Sequence, residues 1–352
     1  MSALELFVPG RLCLFGEHSD WAGAYRAQDA SLMPGYCLAV GTTQGIHARV
    51  TPDPSRLIVD SHVVDGAREP LSAPLDALSA IARSGGFYAY SAGVAAYMCE
   101  RYRVGGTNIQ TTTMNLPLKK GLSSSAAICV LTARALNRLY HLGLSLGDEM
   151  ECAYQGEILT GSQCGQLDQV CAYGQTPVFL TFDGDQLDVQ ALMPAAPMHF
   201  VIVDLQRKKD TRRILRDLNA AFRSNSRVGA QVRDALGSQN HHIVTEARRA
   251  FEAGDARRVG DLMHEAQSVF DRQVAPACAA ELTAPKLHAV LSDPFVRERC
   301  WGGKGVGSQG DGCAQLLARD SAAQRQLLAE LPRRHDVRCL ELSINALEGV
   351  VA

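Results

Sequence analysis

The chain has 352 residues, enough for two domains with cores of their own. Its 35 basic and 37 acidic side chains nearly cancel, which argues against partners held by bulk charge, so neither nucleic acid nor a membrane surface is expected. The N-terminus lacks a charged flank with a long apolar core, no apolar run reaches the ~18 residues of a membrane span, and the eleven cysteines show no CxxC or Cys/His metal spacing. These features predict a cytoplasmic protein with reduced core thiols.

Along the chain, Leu12, Cys13, Leu14 and Phe15 read as a short buried strand. Gly16-Glu17-His18-Ser19-Asp20-Trp21 follows as a glycine-bounded turn carrying Glu17, His18 and Asp20. Carboxylates and an imidazole at a turn suit hydroxyl recognition, metal binding or a turn network that satisfies itself. Residues 37–50 are expected as a strand, 87–101 as a helix and 107–115 as a strand. Lys119-Lys120-Gly121-Leu122-Ser123-Ser124-Ser125-Ala126-Ala127 comes next. From it Ala126, Cys129, Val130, Ala133, Leu136 and Tyr140 recur at helical spacing, which predicts a helix over 123–142. A helix N-terminus attracts phosphate through its unpaired N–H groups and its dipole; a serine N-cap without a ligand is the plainer reading.

Further on, 192–197 reads as a linker and His199-Phe200-Val201-Ile202-Val203 as a strand that opens a second lobe. Two or three amphipathic helices are expected between Thr211 and Arg272. The basic cluster Arg207, Lys208, Lys209, Arg212, Arg213 and Arg216 suits a solvated helix face or an anionic ligand. Gly302 to Cys313 reads as a loop, with six glycines in eleven residues. It contains a GxGxxG spacing without a βαβ unit around it, and no GxxxxGK[ST] occurs in the chain. A helix near 324–331 and an alternating strand over 337–344 close the sequence. Helices that return into strands in this way indicate an α+β sandwich rather than a doubly wound sheet.

Taken together, three of these segments resemble the GHMP kinases, and within them the galactokinase-like sugar 1-kinases. They are Pro9-Gly10-Arg11 with Gly16 to Trp21, Leu116 to Ala127, and Gly302 to Cys313. Cys164-Gly165-Gln166-Leu167-Asp168-Gln169 is similar to the stretch whose aspartate faces the sugar's anomeric hydroxyl. The resemblance implies a two-lobed α+β GHMP kinase fold with a ferredoxin-like C-terminal lobe, divided into 1–190 and 198–352. It implies ATP and Mg²⁺ as cofactors and a small sugar as substrate, phosphorylated at the anomeric hydroxyl. Asp168 would act as base or orienting group, with Arg11 stabilising charge. Glu17, His18 and Asp20 would hold sugar hydroxyls. Lys120, Gly121, Leu122, Ser123, Ser124, Ser125 and Ala126 would cradle the phosphates, and Ser124, Ser125 and Glu157 would ligate Mg²⁺.

The chain departs from the family at Gln309 and Asp311, where small residues are usual, and at Ala24-Tyr25-Arg26. Glu157 stands eleven residues before Asp168, one fewer than the family spacing. Arg26 raises an anionic sugar as an alternative acceptor, beside a sugar phosphate, a mevalonate-like acid or homoserine. A non-catalytic sugar sensor on the same scaffold is the remaining alternative.

Overall fold

The apolar run at residues 12–15 is the end of a longer strand, β1 (Leu4–Phe15), which leads into the short helix α1 (Ser19–Ala24) and then into the 19-residue strand β2 (Gly35–Asp53). The computed structural model describes residues 3–61, 69–116, 121–162 and 164–346. Both long strands serve two compact units. One unit gathers the chain up to Arg11 with Val40–Gln175; the other gathers Leu12–Ala39 with the chain from Thr176 on.

In the first unit β3 (Arg56–Ser61), β4 (Leu71–Pro74) and β5 (Gly106–Met114) join the second part of β2. β5 lies antiparallel to β2 and parallel to β3, and β4 closes the edge antiparallel to β3. The parallel pair needs a crossover, supplied by α2 (Leu78–Ser84) and α3 (Ala89–Tyr102). α4 (Ser124–Leu139) and α5 (Leu146–Ile158) follow, then a 3₁₀ helix over Gln166–Tyr173. Most of α4 is buried, including Ala126, Ala127, Val130, Leu131, Ala133 and Leu136, as expected for a helix apolar on every side. α3 and α5 approach so closely that a Cβ on Gly156 would lie 2.5 Å from Val94 Cγ2. Ser145 and Asp148 form a reciprocal capping box at the start of α5.

A buried ion pair ties these helices together. Arg134 Nε on α4 donates to Glu149 Oε2 on α5 at 2.8 Å, and its Nη2 donates to the Ala172 carbonyl of the 3₁₀ helix at 2.6 Å. Asn137 Nδ2 donates to Glu149 Oε1 at 2.8 Å.

The second unit begins with the first part of β2, which pairs antiparallel with β6 (Val178–Asp183), itself paired with β7 (Gln186–Ala191). The residues expected as a linker join β7 to β8 (Met198–Asp204). α6 (Thr211–Arg223), α7 (Arg227–Asp234), α8 (Asn240–Glu252) and α9 (Ala256–Val269) follow. There are therefore four helices where two or three were expected. The reason is local, since Asp210, Ser226 and Asp255 each accept a backbone N–H and start a new helix. Single π-helical turns, Ala235–Gln239 and Phe270–Val274, widen the helices before α8 and after α9. α10 (Ala279–Leu282), α11 (Pro285–Ser292) and α12 (Pro294–Arg299) lead to β9 (Cys300–Gly305), β10 (Cys313–Ala318), α13 (Ser321–His335) and β11 (Arg338–Ile344).

β8 to β11 form an antiparallel sheet in the order β11-β8-β10-β9. This is the expected ferredoxin-like βαββαβ plan with its first helix enlarged into seven. Its core packs Val201, Val203, Leu287, Val290, Leu316, Leu327 and Leu331. The stretch from Gly302 to Gly305, expected as loop, is instead strand β9. Gly302 is explained by α9 lying against it, because a Cβ there would come within 2.6 Å of Gly260 Cα, and Gly303 by Leu316, whose Cδ2 a Cβ would approach to 2.6 Å. All eleven cysteines are free thiols, eight of them buried. Among the described residues no helix is long and apolar enough to cross a membrane.

Arg134→Met strands the buried Glu149 carboxylate and should cost about 3–5 kcal/mol in urea unfolding. An unchanged midpoint would show that the three elements hold together without this pair.

Candidate active site

In the first unit, Arg11 near the end of β1 meets the loop before α4. Its backbone N–H donates to the Leu122 carbonyl at 3.1 Å, its Nη1 donates to the Gly121 carbonyl at 3.1 Å, and its Nη2 pairs with Asp168 Oδ1. Gly10 permits this approach, since a Cβ there would sit 2.8 Å from the Leu122 carbonyl oxygen. Asp168 lies in the first turn of the 3₁₀ helix, with about 29% of its side chain exposed.

Ser123 precedes α4 in a left-handed conformation (φ 54°, ψ 51°), and its side chain makes no capping hydrogen bond. The plain serine N-cap is therefore not what the sequence builds here. The first-turn amides of Ser124, Ser125 and Ala126 are left without a side-chain acceptor from the cap. Lys120, expected beside them, lies outside the described residues. Gly121 is also left-handed (φ 76°), Leu122 and Ala126 are buried, and the Ser125 side chain hydrogen-bonds Glu157.

Glu157, on the last turn of α5, is only 2% exposed. Its Oε2 accepts from Gln169 Nε2 at 2.8 Å, and Ser162 Oγ approaches its Oε1 at 3.4 Å. Burial, reinforced by the nearby Asp168 charge, pushes its pKa up to about 7 against those hydrogen bonds. The spacing one residue short of the family's thus still brings Glu157 to Ser125 and near Asp168. Among the described residues no three His, Cys, Asp or Glu side chains form a ready-made metal cluster. Two carboxylates and serine hydroxyls are nevertheless hard oxygen donors of the kind that share Mg²⁺ with substrate phosphates.

The second unit carries the turn after β1. Gly16 (φ 89°) lets the chain bend against β2, where a Cβ would lie 2.8 Å from Cys37 Cα. Glu17 pairs with Lys304 of β9, a lysine 1% exposed. His18 (φ 69°) is buried; Trp21 Nε1 donates to its Nδ1 at 3.1 Å, and its ring stacks on Phe270. Burial first, then the charges of Lys209 and Lys304, lowers the His18 pKa to about 3. The imidazole is therefore neutral, and with Nδ1 accepting, its proton sits on Nε2. Nε2 faces the Ser308 backbone without a hydrogen bond of normal geometry. Asp20 is partly buried in the first turn of α1.

A cavity of about 40 Å³ is lined by Phe15, Glu17, Asn240, Phe270, Lys304 and Gln309 among others. The π-helical turns supply part of its apolar wall through Ala235, Leu236, Phe270 and Val274.

The unusual residues of the glycine-rich segment have separate fates. Asp311 accepts from the backbone N–H groups of Lys286 (3.2 Å) and Leu287 (2.8 Å), and so serves the start of α11. Gln309 is 2% exposed, and its Oε1 has no hydrogen-bond partner. Leaving such an acceptor buried costs about 1–3 kcal/mol.

Arg26 does not wait for a carboxylate ligand. It pairs with Asp183 and donates to the carbonyls of Ala30 and Leu32. In the basic cluster, Lys209 donates to the Gln309 carbonyl at 2.6 Å, while Arg213 and Arg216 pair with Asp217. Sequence reasoning missed Lys304 as the partner of Glu17. Its signal was a lone charge inside a run of glycine and apolar residues, which is costly to bury unless paired.

A family model described as "GHMP kinases N terminal domain" matches residues 88–175. Among solved structures, the mevalonate kinase of Methanococcus jannaschii is similar at TM-score 0.74 and 16% identity, covering 98% of each chain. The galactokinase of Lactococcus lactis, solved with galactose, is similar at TM-score 0.74 and 16% identity, over 98% of this chain and 94% of that one. The phosphomevalonate kinase of Streptococcus pneumoniae, solved with phosphomevalonate and AMPPNP, gives TM-score 0.72 and 14% identity, over 98% of this chain and all (100%) of its own.

Glu157 supplies a test by pH. Its unfolded value is near 4.5 and its folded value about 7, so across that interval the unfolded chain holds fewer protons. Stability from this group is full below pH ~4.5 and lost as pH rises through ~7. Glu157→Gln should remove that decline, narrowing or reversing its deficit by up to roughly 3 kcal/mol between pH 4.5 and 7.5 in unfolding titrations. Parallel pH curves for the two proteins would show that Glu157 ionises normally.

Residues 88–175 match the family model of the GHMP kinase N-terminal domain, and the chain as a whole has the GHMP kinase fold.

Proposed function

We propose that this protein is an ATP-dependent kinase that phosphorylates a monosaccharide, at its anomeric hydroxyl. The observation that carries the reading is the Arg11–Asp168 pair, anchored to the loop that opens α4 and close to Glu157. Phosphoryl transfer asks a protein mainly for positioning and charge neutralisation. The uncapped amides of Ser124, Ser125 and Ala126, at the positive end of a sixteen-residue helix, suit nucleotide phosphates. Lys120, Gly121, Leu122 and Ser123 complete the expected cradle.

Mg²⁺ would be held by Glu157 with the Ser124 and Ser125 hydroxyls, and would neutralise charge on the transferring group. Asp168 takes the proton of the acceptor hydroxyl, or orients that hydroxyl for in-line attack. Arg11, with its planar fork, balances the negative charge gathered there. Glu17, His18 and Asp20 hold the remaining hydroxyls. The galactokinase solved with galactose supports a sugar acceptor, whereas mevalonate and phosphomevalonate kinases of similar fold keep an acyclic acceptor as the second reading. Arg26, held by Asp183, gives no support to an anionic sugar. A sensor without catalysis has no need of the Arg11–Asp168 pair, and that pair is present.

ADP release with Mg-ATP should appear with one free hexose, amino sugar, pentose or uronic acid and place phosphate at C1. Activity confined to mevalonate or homoserine would move the acceptor out of the sugars. Asp168→Asn should fold normally and reduce kcat by a few orders of magnitude, on the scale of lost proton transfer. Near-normal turnover in this variant would remove Asp168 from the chemistry.

A further inference from the structure

We propose that Gln309 is a substrate-binding residue that reads one hydroxyl group of the acceptor through its side-chain amide. The inference rests on the kinase reading above and adds to it a recognition residue from the glycine-rich segment.

Three features of Gln309 point the same way. First, its backbone is left-handed (φ 64°) in a loop where Gly307 (φ 63°) and Gly310 (φ 70°) take that conformation without strain. Second, its amide oxygen is buried without a partner, and the residue lines the cavity together with Glu17 and Lys304. Third, Gly305 has given up its side chain to make room, since a Cβ there would be 3.0 Å from Gln309 Cδ and would run into Oε1. Glycine at position 309 would avoid both the strain and the orphaned acceptor. Residues that break local rules in this way are characteristic of binding sites.

The backbone of Gln309 is fixed from both sides. Its N–H donates to the Val306 carbonyl at 3.2 Å, and its own carbonyl accepts from Lys209 Nζ at 2.6 Å. Gln309 thus combines a left-handed backbone with a buried polar atom that lacks a hydrogen bond. The orphaned group of Gln309 is an acceptor, so the ligand group that satisfies it is a donor such as a hydroxyl. Lys304, the nearby cation on the cavity wall, is already neutralised by Glu17. The cavity, about 40 Å³, has room for roughly two or three water-sized groups, which is the scale of a hydroxyl or hydroxymethyl substituent.

The test compares wild type, Gln309→Leu and Gln309→Gly by ADP release with D-galactose and the other sugars of the panel above, monodeoxy analogues of whichever is accepted, mevalonate and homoserine. The expected result is a KM roughly three- to tenfold higher in both variants at nearly unchanged kcat, the scale of one lost neutral hydrogen bond. One deoxy sugar should give the same KM with all three proteins, because it lacks the group that Gln309 reads. Both variants should melt no lower than wild type, since they remove a buried orphan. Gln309→Gly also relieves the backbone and guards against misfolding of the leucine variant. Equal KM values for every accepted substrate would overturn the inference and leave Gln309 a packing residue. If wild type accepts only mevalonate or homoserine, the sugar reading falls, while a raised KM of the variants for that alcohol upholds the role of Gln309. No turnover with any acceptor would overturn both.

Discussion

The Arg11 guanidinium ties together three segments that the chain delivers separately. It belongs to the first strand, it holds the carbonyl of the loop that opens α4, and it pairs with an aspartate 157 residues further on. With the Leu122 carbonyl taken by the Arg11 backbone, the loop has little freedom to drift from β1. The helix start and the acid are thereby placed relative to one another before any ligand arrives. Such preorganisation is where most of the electrostatic advantage of a phosphoryl-transfer site originates. Arg134 performs a parallel service from beneath, by fixing the far end of the 3₁₀ helix that carries Asp168.

The second unit manages charge differently. Its buried Lys304 is neutralised by Glu17, and its buried His18 is held neutral by burial and two neighbouring ammonium groups. The cavity wall is mostly apolar, and its few polar groups, among them Asn240, Gln309 and the Glu17–Lys304 pair, carry little net charge. Such groups discriminate between ligands through the cost of leaving a partner unmet. An acid within this glycine-rich segment, Asp311, is turned away to the α11 backbone, so it adds no repulsion.

Much of this was legible in the sequence, for identifiable reasons. Helical spacing after Ser123 located α4, alternation and apolar runs located β2, β5, β8 and β11, and a return from helices to strands announced the antiparallel sheet. Asp168 was singled out through the likeness of residues 164–169 to a family motif rather than through its own type. What escaped is what depends on long-range contact. The β9 glycines read as loop because nothing local reveals that α9, Leu316 and Gln309 will crowd them. The π-helical turns leave no periodic mark over so few residues. The Glu17–Lys304 pair joins residues 287 positions apart, and the left-handed backbone of Gln309 is set by its glycine neighbours and by Lys209.

The free thiols have a practical consequence. Burial pushes the Cys99 pKa up to about 11 and those of Cys171, Cys300 and Cys339 to about 12, with Cys129 and Cys164 raised as well. Because the thiolate is the reactive species, a thiol of pKa near 11 is ionised at pH 7 in only about one molecule in ten thousand. These six positions present little nucleophile to maleimides or other electrophiles at neutral pH. A cysteine placed on an exposed helix face would outcompete these six for a fluorophore at neutral pH.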